Sequence, residues 1–239
     1  MTALEENLEK LEEAIGVACR AAGRARAEVE LMAVSKTFPA ETVMEAARLG
    51  LKLFGENRVQ EFAGKGAALG AWRERVQCYF IGHLQSNKTA RAAEIFDGVD
   101  SLDSVRVAER LNEAAAGQER RLPVLLEVKL SAEATKTGVE PESAEAAALL
   151  ERLPDLEHVE MRGLMTIAPW GAAEEVTRAC FRALRLLRDR WAQAHPRLSF
   201  EVLSMGMSGD FGLAIEEGAT RIRVGTALFG RRSPQPEIS

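Results

Sequence analysis

Residues 29–39 read VELMAVSKTFP, a short apolar run that ends in a lysine and is stopped by a proline. Side chains alternate between two faces in an extended segment, so Met32, Val34 and Lys36 share one face. Lys36 either reaches solvent from the strand end or lies partly desolvated at the mouth of a sheet. Burial lowers the pKa of a lysine, and an unprotonated lysine can form a Schiff base with a carbonyl. This segment alone leaves both interpretations open.

Eight apolar runs of this kind occur, and each but the last is followed by a helical pattern. They cover residues 29–36, 51–57, 77–84, 96–103, 123–130, 159–167, 200–206 and 220–230. Apolar strands that alternate with helices indicate a parallel sheet covered on both faces. Eight such units favour a single (β/α)8 TIM barrel over residues 1–239, with a doubly wound open sheet as the alternative. Residues 1–24 add an amphipathic N-terminal helix, which we expect to pack on the barrel.

Composition excludes several classes of protein. The 239 residues are 46% hydrophobic with a net charge of -5, so no basic surplus indicates a nucleic acid or membrane partner. The acidic N-terminus lacks the features of a signal peptide, and no stretch approaches membrane-spanning length. The three cysteines are scattered without metal-ligand spacing. We therefore expect a cytoplasmic protein without a metal centre.

Polar or reactive side chains end several of the predicted strands. A (β/α)8 barrel gathers the carboxyl ends of its strands at one face, where its chemistry takes place. Each of these residues alone has an ordinary explanation, such as a hydrogen-bonded core histidine or a turn asparagine, but together they predict one pocket. The strand-end residues are Lys36, Asn57, His83, Met165, Thr166 and Ser204.

Two glycine-containing segments near the C-terminus suggest an anion site. Residues 204–218, SMGMSGDFGLAIEEG, lead from a strand into a helix for which we predict Ser208 as N-cap, and residues 223–226, RVGT, end the eighth strand. Two ordinary glycine turns would explain the same residues. However, loops after strands seven and eight commonly bind phosphate in this barrel. A phosphate site near a pocket lysine suggests pyridoxal 5′-phosphate (PLP), which has a phosphate at one end and an aldehyde at the other.

Six segments carry a resemblance to a known family. VSKTFP, FGENRVQE, FIGHLQSNK, MRGLMTIAP, SMGMSGDFGLAI and RVGTALFG match, in order and spacing, the pyridoxal phosphate homeostasis proteins (the YggS/PROSC family) over nearly the whole chain. The resemblance implies a barrel of the alanine racemase N-terminal type that carries PLP on Lys36. It also implies that two loops contact the phosphate and that Arg223 faces the pyridine nitrogen. Three further residues would line the pocket. The loop residues are Ser204, Gly206, Ser208, Gly225 and Thr226, and the lining residues are Asn57, His83 and Met165. Residues 129–142 depart from the commoner family pattern, which leaves their contribution open.

The implied arginine bears on the kind of chemistry. A guanidinium stays protonated, so it keeps the pyridine nitrogen unprotonated and weakens the ring as an electron sink. Racemisation also needs a second acid/base, which the related alanine racemases take from a tyrosine of a separate β domain. The only tyrosine here, Tyr79, would lie about two layers below the mouth.

We therefore expect a PLP-binding protein of vitamin B6 homeostasis, a monomer or weak dimer that delivers PLP to apoenzymes. The alternative is a PLP-dependent enzyme for small amino acids, with His83 or water as the second acid/base. A third interpretation is an aldolase-like barrel that uses Lys36 as a nucleophile without PLP.

Overall fold

Eight parallel strands close into a barrel in chain order, and β8 pairs with β1 to complete it. This arrangement is seen in a computed structural model that describes residues 1–131 and 137–230. The strands are β1 (Glu30–Val34), β2 (Leu53–Glu56), β3 (Gln77–Phe80), β4 (Gly98–Leu102), β5 (Leu122–Glu127), β6 (Val159–Met165), β7 (Val202–Ser204) and β8 (Arg221–Val224). The predicted barrel is confirmed, and the open sheet is excluded because the β1–β8 ladder closes the sheet.

Helices connect the strands and cover the outside of the barrel. In the described ranges they are α1 (Ala3–Ala21), α2 (Ala40–Arg48), α3 (Val59–Leu69), α4 (Thr89–Ile95), α5 (Val105–Ala116), α6 (Ala144–Arg152), α7 (Glu174–Ala194), α8 (Phe211–Glu216) and α9 (Thr226–Phe229). None of them is long and apolar enough to cross a membrane.

The alternation within β1 separates two apolar regions. Leu31 and Ala33 pack into the large core between the barrel and the helices, whereas Met32 and Val34 belong to a small cluster inside the barrel. The interior is narrow at Gly55 of β2, where a Cβ atom would lie 2.8 Å from the sulfur of Met32. The strand therefore presents alternate residues to the two regions, as its sequence predicts.

Arg221 and Asp100 form a buried ion pair, and the exposed Glu30 at the start of β1 is a second partner of the same arginine. Arg221, the first residue of β8, places Nε 2.8 Å from Oε2 of Glu30 and Nη1 3.0 Å from Oδ2 of Asp100. Its guanidinium lies 5.0 Å from the ring centre of Tyr79. Burial raises the pKa of Tyr79. The tyrosine is thus held inside the barrel, between Arg221 and the small apolar cluster.

The N-terminal helix packs beside the last two helices of the chain. α1 begins with a capping box, in which the Thr2 hydroxyl accepts the N–H of Glu5 at 3.3 Å. It packs against α8 and α9, and Nδ2 of Asn7 donates to the carbonyl of Leu228 at 3.0 Å. α1 therefore supports the two helices that follow β7 and β8.

All eight strands are shorter than the predicted apolar runs, and the difference is largest for the eighth. The third ends at Phe80 rather than at residue 84, and the eighth ends at Val224 rather than at residue 230. The carbonyl of Gly225 accepts the N–H groups of Leu228 and Phe229 at 3.0 and 2.8 Å, which starts α9. The apolar run that was predicted to continue β8 is therefore helical, and Leu228 is its buried residue.

Candidate functional site

Lys36 lies in a tight turn directly after β1. The carbonyl of Ser35 accepts the N–H of Phe38 at 3.0 Å, so Lys36 and Thr37 form the two central positions of the turn. Lys36 is half-buried, and Thr37 has a φ of +71°. A positive φ is uncommon for a β-branched residue, so the surrounding structure must hold this turn.

Arg223 is the buried cation of the barrel mouth. Its Nη1 donates to the hydroxyl of Ser204 at 2.8 Å, and its Nη2 donates to the carbonyl of Thr166 at 2.8 Å. Burial lowers its pKa, while the nearby carboxylates of Asp100 and Glu127 act in the opposite direction. A guanidinium nevertheless stays protonated in proteins. The ends of β6, β7 and β8 thereby hold a fixed positive charge.

The two glycine-containing segments meet above Arg223. The N–H of Arg223 donates to the carbonyl of Gly206 at 2.9 Å, and the hydroxyl of Ser208 accepts the N–H of Ala227 at 3.3 Å. Gly206 has a φ of +93°, and a Cβ atom there would lie 2.6 Å from Cβ of Ala214. The loops after β7 and β8 therefore form one surface, as the sequence predicts.

Ser208 does not cap α8, so this prediction was wrong. α8 begins at Phe211 with Asp210 at the N-cap position, and Oδ1 of Asp210 accepts the N–H of Met207 at 2.5 Å. The aspartate orders the loop, which leaves the Ser208 hydroxyl to contact the first turn of α9.

Gly225 and Thr226 lie next to the end of β1. A Cβ atom on Gly225 would lie 3.3 Å from the carbonyl oxygen of Val34, so the loop after β8 packs closely against the strand that precedes Lys36. Thr226 is the first residue of α9. The structure thus brings the lysine turn and the second glycine segment together.

Three predicted lining residues occupy different positions. Met165 ends β6 and is buried, and Asn57 directly follows β2 with a buried Oδ1 that has no hydrogen-bond partner in the described part of the chain. His83 lies three residues beyond β3 rather than at its end, and its side chain is 54% exposed. Its Nδ1 lies 3.3 Å from Oδ2 of Asp103, and burial raises the pKa of Asp103. A pocket role for these three residues stays a prediction.

Sequence reasoning missed Glu127, which ends β5. It is buried, and its Oε1 accepts a hydrogen bond from the Thr137 hydroxyl at 2.8 Å. Its neighbours Leu126 and Val128 pack in the outer core, so alternation turns Glu127 towards the barrel interior. Burial raises its pKa. A carboxylate inside the apolar run LLEVKL was the signal, but the adjoining residues 132–136 lie outside the described ranges.

The cysteines and the possible metal ligands of the described ranges do not resemble a reactive site. All three cysteines are buried, and burial raises the pKa of Cys78 to about 12. Residues 1–131 and 137–230 contain no group of three or more His, Cys, Asp or Glu side chains that could hold a metal ion.

Comparisons with known proteins agree with this geometry. The family model "Alanine racemase, N-terminal domain" matches residues 2–233. The pyridoxal phosphate homeostasis protein of Vibrio cholerae is 41% identical over 235 residues, which cover 97% of this chain and 98% of that protein. The protein of the same name from Pseudomonas aeruginosa is 44% identical over 233 residues, with 97% of each chain covered.

Solved structures share the fold. PipY of Synechococcus elongatus, solved with PLP bound, is 41% identical with a TM-score of 0.84, and the match covers 95% of this chain and all of that chain. Alanine racemase from Streptomyces coelicolor has a TM-score of 0.72 at 20% identity, with 98% of this chain and 59% of that chain covered, and so shares the fold alone. The chain therefore belongs to the alanine racemase N-terminal domain family and, within it, to the pyridoxal phosphate homeostasis proteins.

Proposed function

We propose that this protein binds PLP as a Schiff base on Lys36 and takes part in vitamin B6 homeostasis in the cytoplasm by delivering PLP to apoenzymes. The observation that carries the proposal is the convergence of the Lys36 turn, the fixed Arg223 cation and two glycine segments at one mouth. PipY, which is 41% identical to this chain, has been solved with PLP bound. We take residues 1–239 as one PLP-binding domain.

The residues at the mouth fit the chemical groups of PLP. The phosphate suits the loops of Gly206, Ser208, Gly225 and Thr226, because glycine backbone lets N–H groups approach an anion closely. A side chain at Gly206 would overlap Ala214, so the close packing of this loop on α8 depends on the absence of a Cβ atom. Oδ1 of Asn57, which has no hydrogen-bond partner within residues 1–131 and 137–230, leaves an acceptor available at the same mouth.

Lys36 and Arg223 have separate tasks in this proposal. PLP supplies an aldehyde, which condenses with a primary amine with the loss of one water molecule, and Lys36 provides that amine. Arg223 is held by Ser204 and Thr166, so its charge faces the pocket in a fixed direction. A protonated guanidinium at the ring nitrogen limits electron withdrawal by the ring. This arrangement suits reversible storage better than carbanion chemistry.

A PLP-dependent enzyme that acts on small amino acids is the second candidate. Tyr79 gives it little support because its ring lies against Arg221, the first residue of β8, and packs on the apolar cluster inside the barrel. The observation in its favour is His83, whose Nδ1 lies 3.3 Å from a carboxylate of Asp103. A histidine beside a carboxylate is a common acid/base pair. The two candidates therefore differ in whether His83 transfers a proton.

The test measures where PLP is attached, whether it is transferred to an apoenzyme and whether the protein turns over amino acids. PLP-loaded protein is reduced with borohydride and mapped by mass spectrometry, with Lys52→Ala as the control for an exposed lysine. We expect the pyridoxyl group on the peptide that contains Lys36 in both proteins, PLP transfer to an apoenzyme, and no racemase or transaminase turnover. A pyridoxyl group on other lysines only would refute the attachment site. Turnover that is lost in His83→Gln would favour the enzyme.

A further inference from the structure

Three side chains from β2 and α3 contact the turn that carries Lys36, and we call Glu56, Glu61 and Lys65 the turn clamp. Nζ of Lys65 lies 2.8 Å from the carbonyl oxygen of Ser35 and 2.6 Å from Oε1 of Glu56. The Ser35 hydroxyl donates to the same Glu56 oxygen at 2.7 Å. The N–H of Thr37 donates to Oε1 of Glu61. The clamp thus binds polar groups on both sides of Lys36.

The turn needs such support because its backbone is unfavourable for its sequence. Thr37 follows Lys36 with a φ of +71°, a value that glycine or asparagine usually adopts at this position of a turn. A β-branched residue in this region is strained. The single backbone hydrogen bond from Phe38 to Ser35 does not remove that strain, whereas the clamp contacts on both sides of Lys36 offset it.

The Lys65–Glu56 pair of the clamp is ionic although it lies within the protein, whereas Glu61 is partly exposed. The side chains of Lys65 and Glu56 are 5% and 1% exposed, and Oε2 of Glu56 is buried without a hydrogen-bond partner in the described residues. Burial raises the pKa of Glu56, and the charge of Lys65 opposes this shift. Apolar residues of similar size often replace a buried ion pair without loss of stability. Folding alone therefore gives little reason for charges here.

We propose that Glu56, Glu61 and Lys65 are positioning residues, which hold the Lys36 turn in the conformation that keeps its amine at the PLP aldehyde. This inference rests on the proposed function, because it assigns the clamp to the attachment site of that cofactor. The clamp touches the peptide groups beside Lys36, so its loss lets the turn relax away from the strained conformation. The consequence is faster release of PLP from the protein.

The experiment measures PLP release after the clamp is weakened and after the strain is removed. The variants are Lys65→Met, Glu56→Gln combined with Lys65→Met, and each of these with Thr37→Gly, while Lys52→Met is the control for an exposed lysine. PLP release into excess apoenzyme, the visible Schiff-base absorption and the unfolding temperature of the PLP-free protein are recorded for each. We expect Lys65→Met to speed release about tenfold, since small displacements of a reacting group have effects of this size or larger. Thr37→Gly should restore most of the slow release, because glycine adopts a positive φ without strain.

The neutral pair Glu56→Gln with Lys65→Met keeps the test decisive if Lys65→Met alone folds poorly. Wild-type release rates in this folded double variant would overturn the role of the clamp. Faster release that Thr37→Gly fails to slow would also overturn it, because a merely structural defect would not depend on the φ of residue 37. Absence of a Schiff base on Lys36 in the wild-type protein would overturn both the inference and the proposed function. A wild-type Schiff base with unchanged variants would overturn the inference alone.

Discussion

Gly206→Ala is expected to damage the glycine segment after β7, while Gly209→Ala in the same segment is expected to be tolerated. Gly206 has a φ of +93°, and an added Cβ atom would lie 2.6 Å from Cβ of Ala214. The backbone of Gly209 lies outside the left-handed region, and an added Cβ atom there would have no neighbouring atom within 4 Å. The two variants add the same methyl group to one loop, so they form a matched pair.

The magnitude follows from two separate costs. A left-handed conformation costs an alanine about 1–2 kcal/mol. Contacts between carbon atoms are favourable at about 3.5–4.0 Å, so the methyl group or α8 must move by roughly 1 Å, and such overpacking costs about 1–3 kcal/mol. The free energy of unfolding of Gly206→Ala should therefore fall by roughly 2–5 kcal/mol, against about 0.5 kcal/mol or less for Gly209→Ala.

Urea unfolding of both PLP-free variants measures this difference. The same samples give the PLP affinity, since a shift of Gly206 also moves the carbonyl that accepts the Arg223 N–H at 2.9 Å. Each 1.4 kcal/mol lost from binding weakens the affinity about tenfold. Equal stability and equal PLP affinity in the two variants would refute the reasoning about Gly206.

Three further predictions concern the same mouth. Gly225→Val should weaken the binding of PLP more than that of pyridoxal in paired titrations, because the side chain crowds the loop against Val34 and the phosphate would be nearby; equal losses would place the phosphate elsewhere. Arg223→Gln removes the fixed charge and should change the absorption spectrum of bound PLP, whereas an unchanged spectrum at full occupancy would remove Arg223 from the ring nitrogen. Glu127→Gln should raise the free energy of unfolding at pH 7 but not near pH 4. The pKa of Glu127 is raised by burial in the folded protein, so wild-type stability falls as pH rises from the unfolded-state pKa, about 4.3, through the folded-state pKa. A stability gap that is the same at both pH values would contradict this account.

The sequence predicts the barrel because the pattern of an apolar strand followed by a helix repeats along the chain. Each strand pairs with its sequence neighbour, and the alternation of Met32 and Val34 against Leu31 and Ala33 separates the interior from the outer core. Short apolar segments carry no such repetition. Residues 226–229 contain too few positions to distinguish a period of 2 from one of 3.6, so the start of α9 at Thr226 could not be predicted.

The sequence predictions at the candidate site rest on residue type, and contacts that depend on packing were missed. Lys36 and the two glycine segments are recognisable as an amine and as backbone that approaches an anion. Lysines are seldom buried, so nothing in the sequence singles out Lys65. The packing of α3 on β2 buries its ammonium group beside Ser35. The choice of Asp210 over Ser208 at the start of α8 likewise depends on the path of the loop.

The order of the strands around the barrel places the proposed phosphate site beside Lys36. Asp103 directly follows β4, and Glu127 ends β5. Arg223 lies in β8, and the glycine segments follow β7 and β8. In a closed barrel of eight strands, β5 is opposite β1 and β8 is adjacent to it. The carboxylates at the ends of β4 and β5 repel a phosphate, whereas the glycine segments after β7 and β8 let backbone N–H groups approach one. Because β8 adjoins β1, the proposed phosphate site and Lys36 lie on neighbouring strands, so one molecule of PLP can contact both without reaching across the mouth.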